Sequence, residues 1–146
     1  MSHVRQQIRE AFKTALDVAL PDHTVFSARR YAINAKSLPV VDMKFLNENA
    51  EFITMGDRQD RTASLYIRAT HQASDDDIDD VLDDVAITIE HAVAAEGRFD
   101  GLLIDIGLMQ TNFTDSADGD KALAEVVLRY DVVYRVRVDN VENAEG

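Results

Sequence analysis

The 146-residue sequence contains no cysteine and no tryptophan, and only two prolines. Without cysteine there is no disulfide scaffold, no thiolate metal site and no cysteine nucleophile, a composition suited to folding in a reducing cytosol. Long apolar runs are missing too. None approaches the roughly 18 residues of a membrane span, and Met1 to Gln6 lacks the apolar core of a signal peptide, so the expectation is a soluble, untargeted chain. Basic charge is scarce as well. The formal net charge is −12. Residues 1–73 hold ten Lys and Arg against eight Asp and Glu, whereas residues 74–146 hold five against nineteen. No basic face stands ready to neutralise phosphates, which argues against tight DNA binding. An acidic surface still suits a passage through which DNA moves without sticking.

What is present is a core. Apolar residues make up 46% of the chain, with six Phe and four Tyr, and the length fits one domain. Val4, Ile8, Ala11, Phe12, Ala15, Leu16 and Ala19 recur at helical spacing, and Pro21-Asp22 ends that helix. Residues 23–33 read as a short irregular strand carrying an exposed Arg29-Arg30 pair. Pro39 opens a strand over Val40–Leu46, and Thr62–His71 alternates cleanly as a second. Between them, residues 47–61 are too many for a tight turn: either the strands run on past the sheet or a loop projects. Ser74 followed by Asp75-Asp76-Asp77 reads as the start of a helix, which continues through Ile78, Leu82, Val85, Ile89 and Val93 to a stop at Gly97. Leu102–Phe113 is a strand, residues 115–120 a turn, and Lys121–Val138 a long final strand. The reading is an α+β domain over residues 1–138, of order α-β-β-β-α-β-β. It has a mainly antiparallel sheet with two helices packed on one face, and a disordered polar tail over residues 139–146.

Catalytic and cofactor chemistry is not legible. The seven aspartates between Asp75 and Asp84 splay outward on a helix face, whereas calcium needs oxygens converging from a loop. The Asp115–Asp120 stretch lacks the spacing and closing glutamate of an EF-hand. His3, His23, His71 and His91 have no partner at metal-ligand spacing, and there is no nucleophile elbow or phosphate loop. No enzyme activity, cofactor or metal is therefore expected. A small metal-dependent enzyme using the Asp75–Asp84 acids remains the reading from a different class.

Apolar residues in a polar connection carry more information. Phe52, Ile53 and Met55 sit among Glu51, Gly56, Asp57 and Arg58. Either a partner buries them or Phe52 and Ile53 extend the strand into the core. Tyr130 and Tyr134 lie on a final strand of about 17 residues, against a usual 5–6. Either part of that strand extends beyond its sheet and offers the tyrosines to an interface, or it bends through a bulge and stays within the subunit. Arg29 and Arg30 against the Asp75–Asp84 acids would suit a head-to-tail contact weakened by salt.

The amphipathic first helix, Leu38-Pro39-Val40-Val41-Asp42-Met43, the polar-edged connection and Thr62 to Arg68 are joined by Ser74-Asp75-x-x-Ile78 and the strand Leu128–Val136. Together they resemble the tail-terminator family of long non-contractile phage tails, the lambda-type minor tail protein U, found also in prophages and gene transfer agents. The resemblance covers residues 4–138 in element order. It implies a virion protein at the head-proximal end of the tail, assembled in the host cytoplasm. Its partners would be copies of itself in a six-fold ring, the tail tube protein and the head–tail connector, with DNA passing through and no membrane involved. Another neck or tail-completion protein is the neighbouring alternative.

Overall fold

The computed structural model describes residues 2–28, 38–53, 56–74, 76–118 and 121–145. Helix α1 (Val4–Ala19) buries Val4, Ile8, Phe12 and Leu16, one residue per turn on a single stripe. His3 caps it, its Nδ1 accepting the Arg5 N–H at 3.0 Å. Helix α2 (Ile78–Glu96) buries Ile78, Leu82, Val85, Ala86, Ile89 and Val93 in the same manner. Its N-cap is Asp77 rather than the expected Ser74. The chain first makes a turn in which the Ser74 carbonyl accepts the Asp77 and Ile78 N–H groups and its hydroxyl donates to the Asp77 carboxylate at 2.9 Å.

After Gly97 (φ 59°), Phe99 and Asp100 also hold positive φ, at 53° and 56°. For a phenylalanine this region costs roughly 1–2 kcal/mol. The compensation lies in where the ring goes: Phe99 stacks on Phe12 with centroids 4.5 Å apart, and Phe12 also meets Tyr130 at 6.3 Å.

Five strands follow as β1 (Thr24–Val25), β2 (Val40–Phe52), β3 (Arg58–Ala73), β4 (Asp105–Asp118) and β5 (Lys121–Arg137). They form one sheet in the order β1-β2-β3-β5-β4, with β1 parallel to β2 and every other pair antiparallel. The fold is thus the expected α+β arrangement, in the expected element order. Alternation sorts the strands into two faces. Val41 and Met43 of β2, Ala63 to Ala69 of β3 and Ala124 to Val136 of β5 place their buried alternate residues in one cluster with the helix stripes.

Of the two readings of residues 47–61, the one in which the strands run on holds: β2 and β3 continue as a hairpin to the pair Phe52↔Gln59. Two other expectations change. The long final strand offers no edge, because β5 is central, pairing with β3 from Ala122 to Arg137 and with β4 from Lys121 to Val133. A central strand that long needs neighbours on both sides to satisfy its backbone groups; β3 runs nearly its full length, while the pairing with β4 ends at Val133 and the Arg135 carbonyl beyond it accepts the Glu145 N–H. The tail is tied down rather than loose. Val141 accepts the Val4 N–H at 3.0 Å, Glu145 donates its N–H to Arg135 at 2.7 Å, and Val141 and Ala144 pack on the core.

Candidate functional site

Of the residues singled out in the sequence, Arg29, Arg30 and Met55 lie outside the described residues, as does Asp75. Tyr130 and Tyr134 are not surface residues. They belong to the inward-facing half of β5, with 4% and 0% of their surface exposed, because the helices cover that face. Burial, aided by Glu90, pushes the Tyr130 hydroxyl up to about 12. Tyr134 donates its hydroxyl to the Glu48 carboxylate, and burial first, then that bond, raises its pKa. It therefore stays a donor.

Phe52, Ile53 and Arg58 come together at the end of the β2–β3 hairpin. Phe52 is 59% exposed, and Ile53 is 39% exposed, its N–H bonded to the Arg58 carbonyl at 3.2 Å. The strand does extend through Phe52, as one reading had it, but into solvent rather than into the core. Val138 lies beside them, also exposed, its N–H bonded to the Asp57 carbonyl at 2.8 Å. Arg58 is exposed and makes no ion pair among the described residues.

The base of this hairpin is held firmly. Glu48 accepts Arg5 Nη1 of α1 at 2.6 Å and lies 3.7 Å from Arg61 Nη1 of β3, besides accepting the Tyr134 hydroxyl of β5. One carboxylate thus joins four elements where the helix layer ends. On the same hairpin Asp60 takes Arg135 Nε at 2.7 Å. An apolar tip on a pinned stalk is a geometry for contact, not for a loose lid.

A second exposed apolar patch was not foreseen. On β4, Leu108, Met109 and Phe113 are 36%, 57% and 57% exposed. A bulge between Leu108 and Gln110 aims Met109 outward. β4 is the edge of the sheet, and between it and α2 runs a groove of about 280 Å³ whose lining includes Val93, Ala94, Ile106, Leu108 and Tyr130, with Glu90 among its residues. The sequence signal was there: Leu108 and Met109 put apolar groups on successive positions of a strand, so one had to face solvent.

The aspartates of α2 form a solvated face. Asp76, Asp77, Asp79, Asp80, Asp83 and Asp84 are all exposed, and among the described residues no three His, Cys, Asp or Glu converge as a metal set would. His23 and His71 do meet, with Nε2 atoms 2.9 Å apart, a contact that 48 residues of separation hid from any spacing argument. Burial, reinforced by His23, lowers His71 to about 4. Burial also lowers His23, against the opposing charge of Asp22. Both rings are held neutral, one donating to the other. On the outer face of the sheet, Asp42 is 1% exposed and takes Arg68 Nε at 2.9 Å, while Arg68 Nη1 lies 3.6 Å from Glu125. These are closed pairs, and none leaves an acid and a base poised over a substrate.

No helix of the described residues is long and apolar enough to cross a membrane. A search of curated proteins finds no match to this sequence. The profile of the phage minor tail protein U family, by contrast, matches residues 3–134, from the cap of α1 almost to the end of β5. With nearly the whole domain covered, the chain belongs to the phage minor tail protein U family and is a structural component of a phage tail.

Proposed function

We propose that this chain is a tail terminator: copies of it form a ring, six-fold as in the family it resembles, that caps the tail tube and halts its growth. The ring also presents the docking surface for the head–tail connector and lets DNA pass without specific binding. Its position is head-proximal and its assembly takes place in the host cytoplasm. The work is done by contact, not catalysis. The observation that carries the reading is the pairing of family membership with a rigidly based hairpin whose apolar end, Phe52 and Ile53, faces solvent. A subunit that functions alone has little reason to keep such an end.

The terminator role is tested with tail tubes polymerised from the cognate tube protein and imaged with and without the purified chain. Rings at one tube end with growth arrested support it. Tubes that lengthen with bare ends at saturating protein overturn it. A monomer in free solution is compatible with the role, because a template concentrates weakly associating subunits.

A further inference from the structure

His71 ends the inward-facing row of β3, after Ala63, Leu65, Ile67 and Ala69, and is itself buried. Its contact, His23, sits in the connection between α1 and β1, with the two Nε2 atoms 2.9 Å apart and the ring centres 4.7 Å apart. β1 is a two-residue strand at one edge of the sheet. Its backbone ties include the Thr24 N–H to the Pro39 carbonyl at 3.1 Å and the Phe26 N–H to the Val41 carbonyl at 2.8 Å. Val25 is its one buried side chain. So short an edge opens at far less cost than the core. The histidine contact fastens this edge to β3, a strand with which β1 does not pair.

A neutral imidazole carries one N–H and one lone pair. In the contact one Nε2 donates and the other accepts. His23 Nδ1 is buried and has no hydrogen-bond partner among the described residues. A bare nitrogen is easier to bury there than an N–H deprived of an acceptor. His23 therefore donates through Nε2, and His71 accepts, keeping its own proton on Nδ1. The lone pair of His71 is then engaged, and that of His23 is sealed from water. Closed, the pair has no free nitrogen at which to take up a proton. Asp22, on His23's own segment, is the carboxylate whose charge reaches the pair. Among the described residues no charged group of α1, α2 or the other strands shifts either ring.

We infer that the His23–His71 contact is an acid-released latch: protons enter only when it opens, and their uptake frees residues 22–26, with β1, from the sheet edge while the rest of the domain stays folded. Release leaves Val40 and Val41 of β2 without the strand paired to them, an open edge for another chain to join. The sign follows from burial, which lowers both rings, His71 to about 4. The closed form has its full stability above about pH 6.5 and loses it as the pH falls.

Backbone amide exchange read by NMR on the full chain, from about pH 7.5 to about pH 5, tests the latch. Below about pH 6.5 the Thr24 and Phe26 amides, corrected for intrinsic rates, should lose between about tenfold and about a hundredfold of their protection per pH unit, since each freed ring takes up one proton. Leu65 and Leu128 should stay protected where those two no longer are. The ring C–H signals of His23 and His71 give a second measurement that needs no variant: both should titrate together, as the Thr24 and Phe26 amides open. His23→Gln with His71→Gln should make the edge amides indifferent to pH. Thr24 and Phe26 exchanging only together with Leu65 and Leu128 would mean global unfolding and overturn the latch. Rings that titrate while the edge amides stay protected overturn it as well, as does an unchanged pH dependence in the double variant.

Discussion

The two faces of the sheet are built from the same alternating strands, yet they are held by different physics. The inner face is apolar and covered by α1 and α2, with Phe12, Leu65, Ile67, Leu128 and Tyr134 almost wholly excluded from water. Among the described residues the outer face carries no helix, and several of its polar side chains are closed in pairs: Asp42 with Arg68, Ser64 with Asp131 at 3.0 Å, and Asp60 with Arg135. Apolar burial is non-directional and scales with area, whereas a buried charge is tolerable only while its partner stays in place. The inner face therefore tolerates reshaping better than deletion, and the outer face tolerates paired changes better than single ones.

The largest effect should come from emptying the inner face. Phe12→Ala removes a ring that contacts both Phe99 and Tyr130, and is expected to cost about 3–5 kcal/mol in urea unfolding. A loss under ~1 kcal/mol would mean that the Phe99 turn closes the gap by itself. On the outer face, Arg68→Met removes the guanidinium bound to the Asp42 carboxylate and should cost about 3 kcal/mol, the lower end for a broken buried pair since Arg68 keeps some exposure. Adding Asp42→Asn should recover a good part of that. If the double variant is no better than the single, Arg68 acts by packing rather than by charge.

A third effect links the comparison to pH. His71 has its pKa lowered from the ordinary 6.5 to about 4, so the unfolded chain binds more protons than the folded one between those values. The stability from keeping His71 neutral is complete above about pH 6.5 and is lost as the pH falls towards 4. Thermal midpoints should fall across that window, and His71→Gln should flatten the curve there. Parallel curves for both proteins would assign the acid sensitivity to the carboxylates instead. The smallest effect on stability belongs to the hairpin end. Phe52→Ser with Ile53→Ser should change unfolding by no more than about 0.5 kcal/mol, because both are exposed, while tube capping is lost. Unfolding of the double variant would place the two residues in the core after all.

The elements with strong periodicity were legible from the residues alone. The stripes Val4-Ile8-Phe12-Leu16 and Ile78-Leu82-Val85-Ile89 each became a buried helix face, and the alternation from Ala122 to Val136 became a strand. Strand neighbours were not legible, since alternation fixes which way a side chain points and not which strand lies beside it. That is why Tyr130 and Tyr134, read as partner contacts on a protruding edge, turned out to stand under two helices. The exposure of Phe52 and Ile53 was one of two readings left open by apolar groups among charges, a local conflict that needs no tertiary knowledge to notice. The Glu48 junction and the His23–His71 contact join residues far apart in the chain, and no local pattern marks either.

The central position of β5 has a consequence for synthesis. It is last of the five strands in chain order, yet both β3 and β4 close against it. While the chain emerges from the ribosome, α1, α2 and the β2–β3 hairpin can gather, but β4 has no sheet to join until residues beyond Lys121 are made. Most of the sheet's long-range pairing must form at once, late in synthesis, and such topologies fold slowly and expose strand edges while they wait. Stalling the ribosome at or before Lys121 would thus leave a nascent chain that lacks the strand on which both β3 and β4 close.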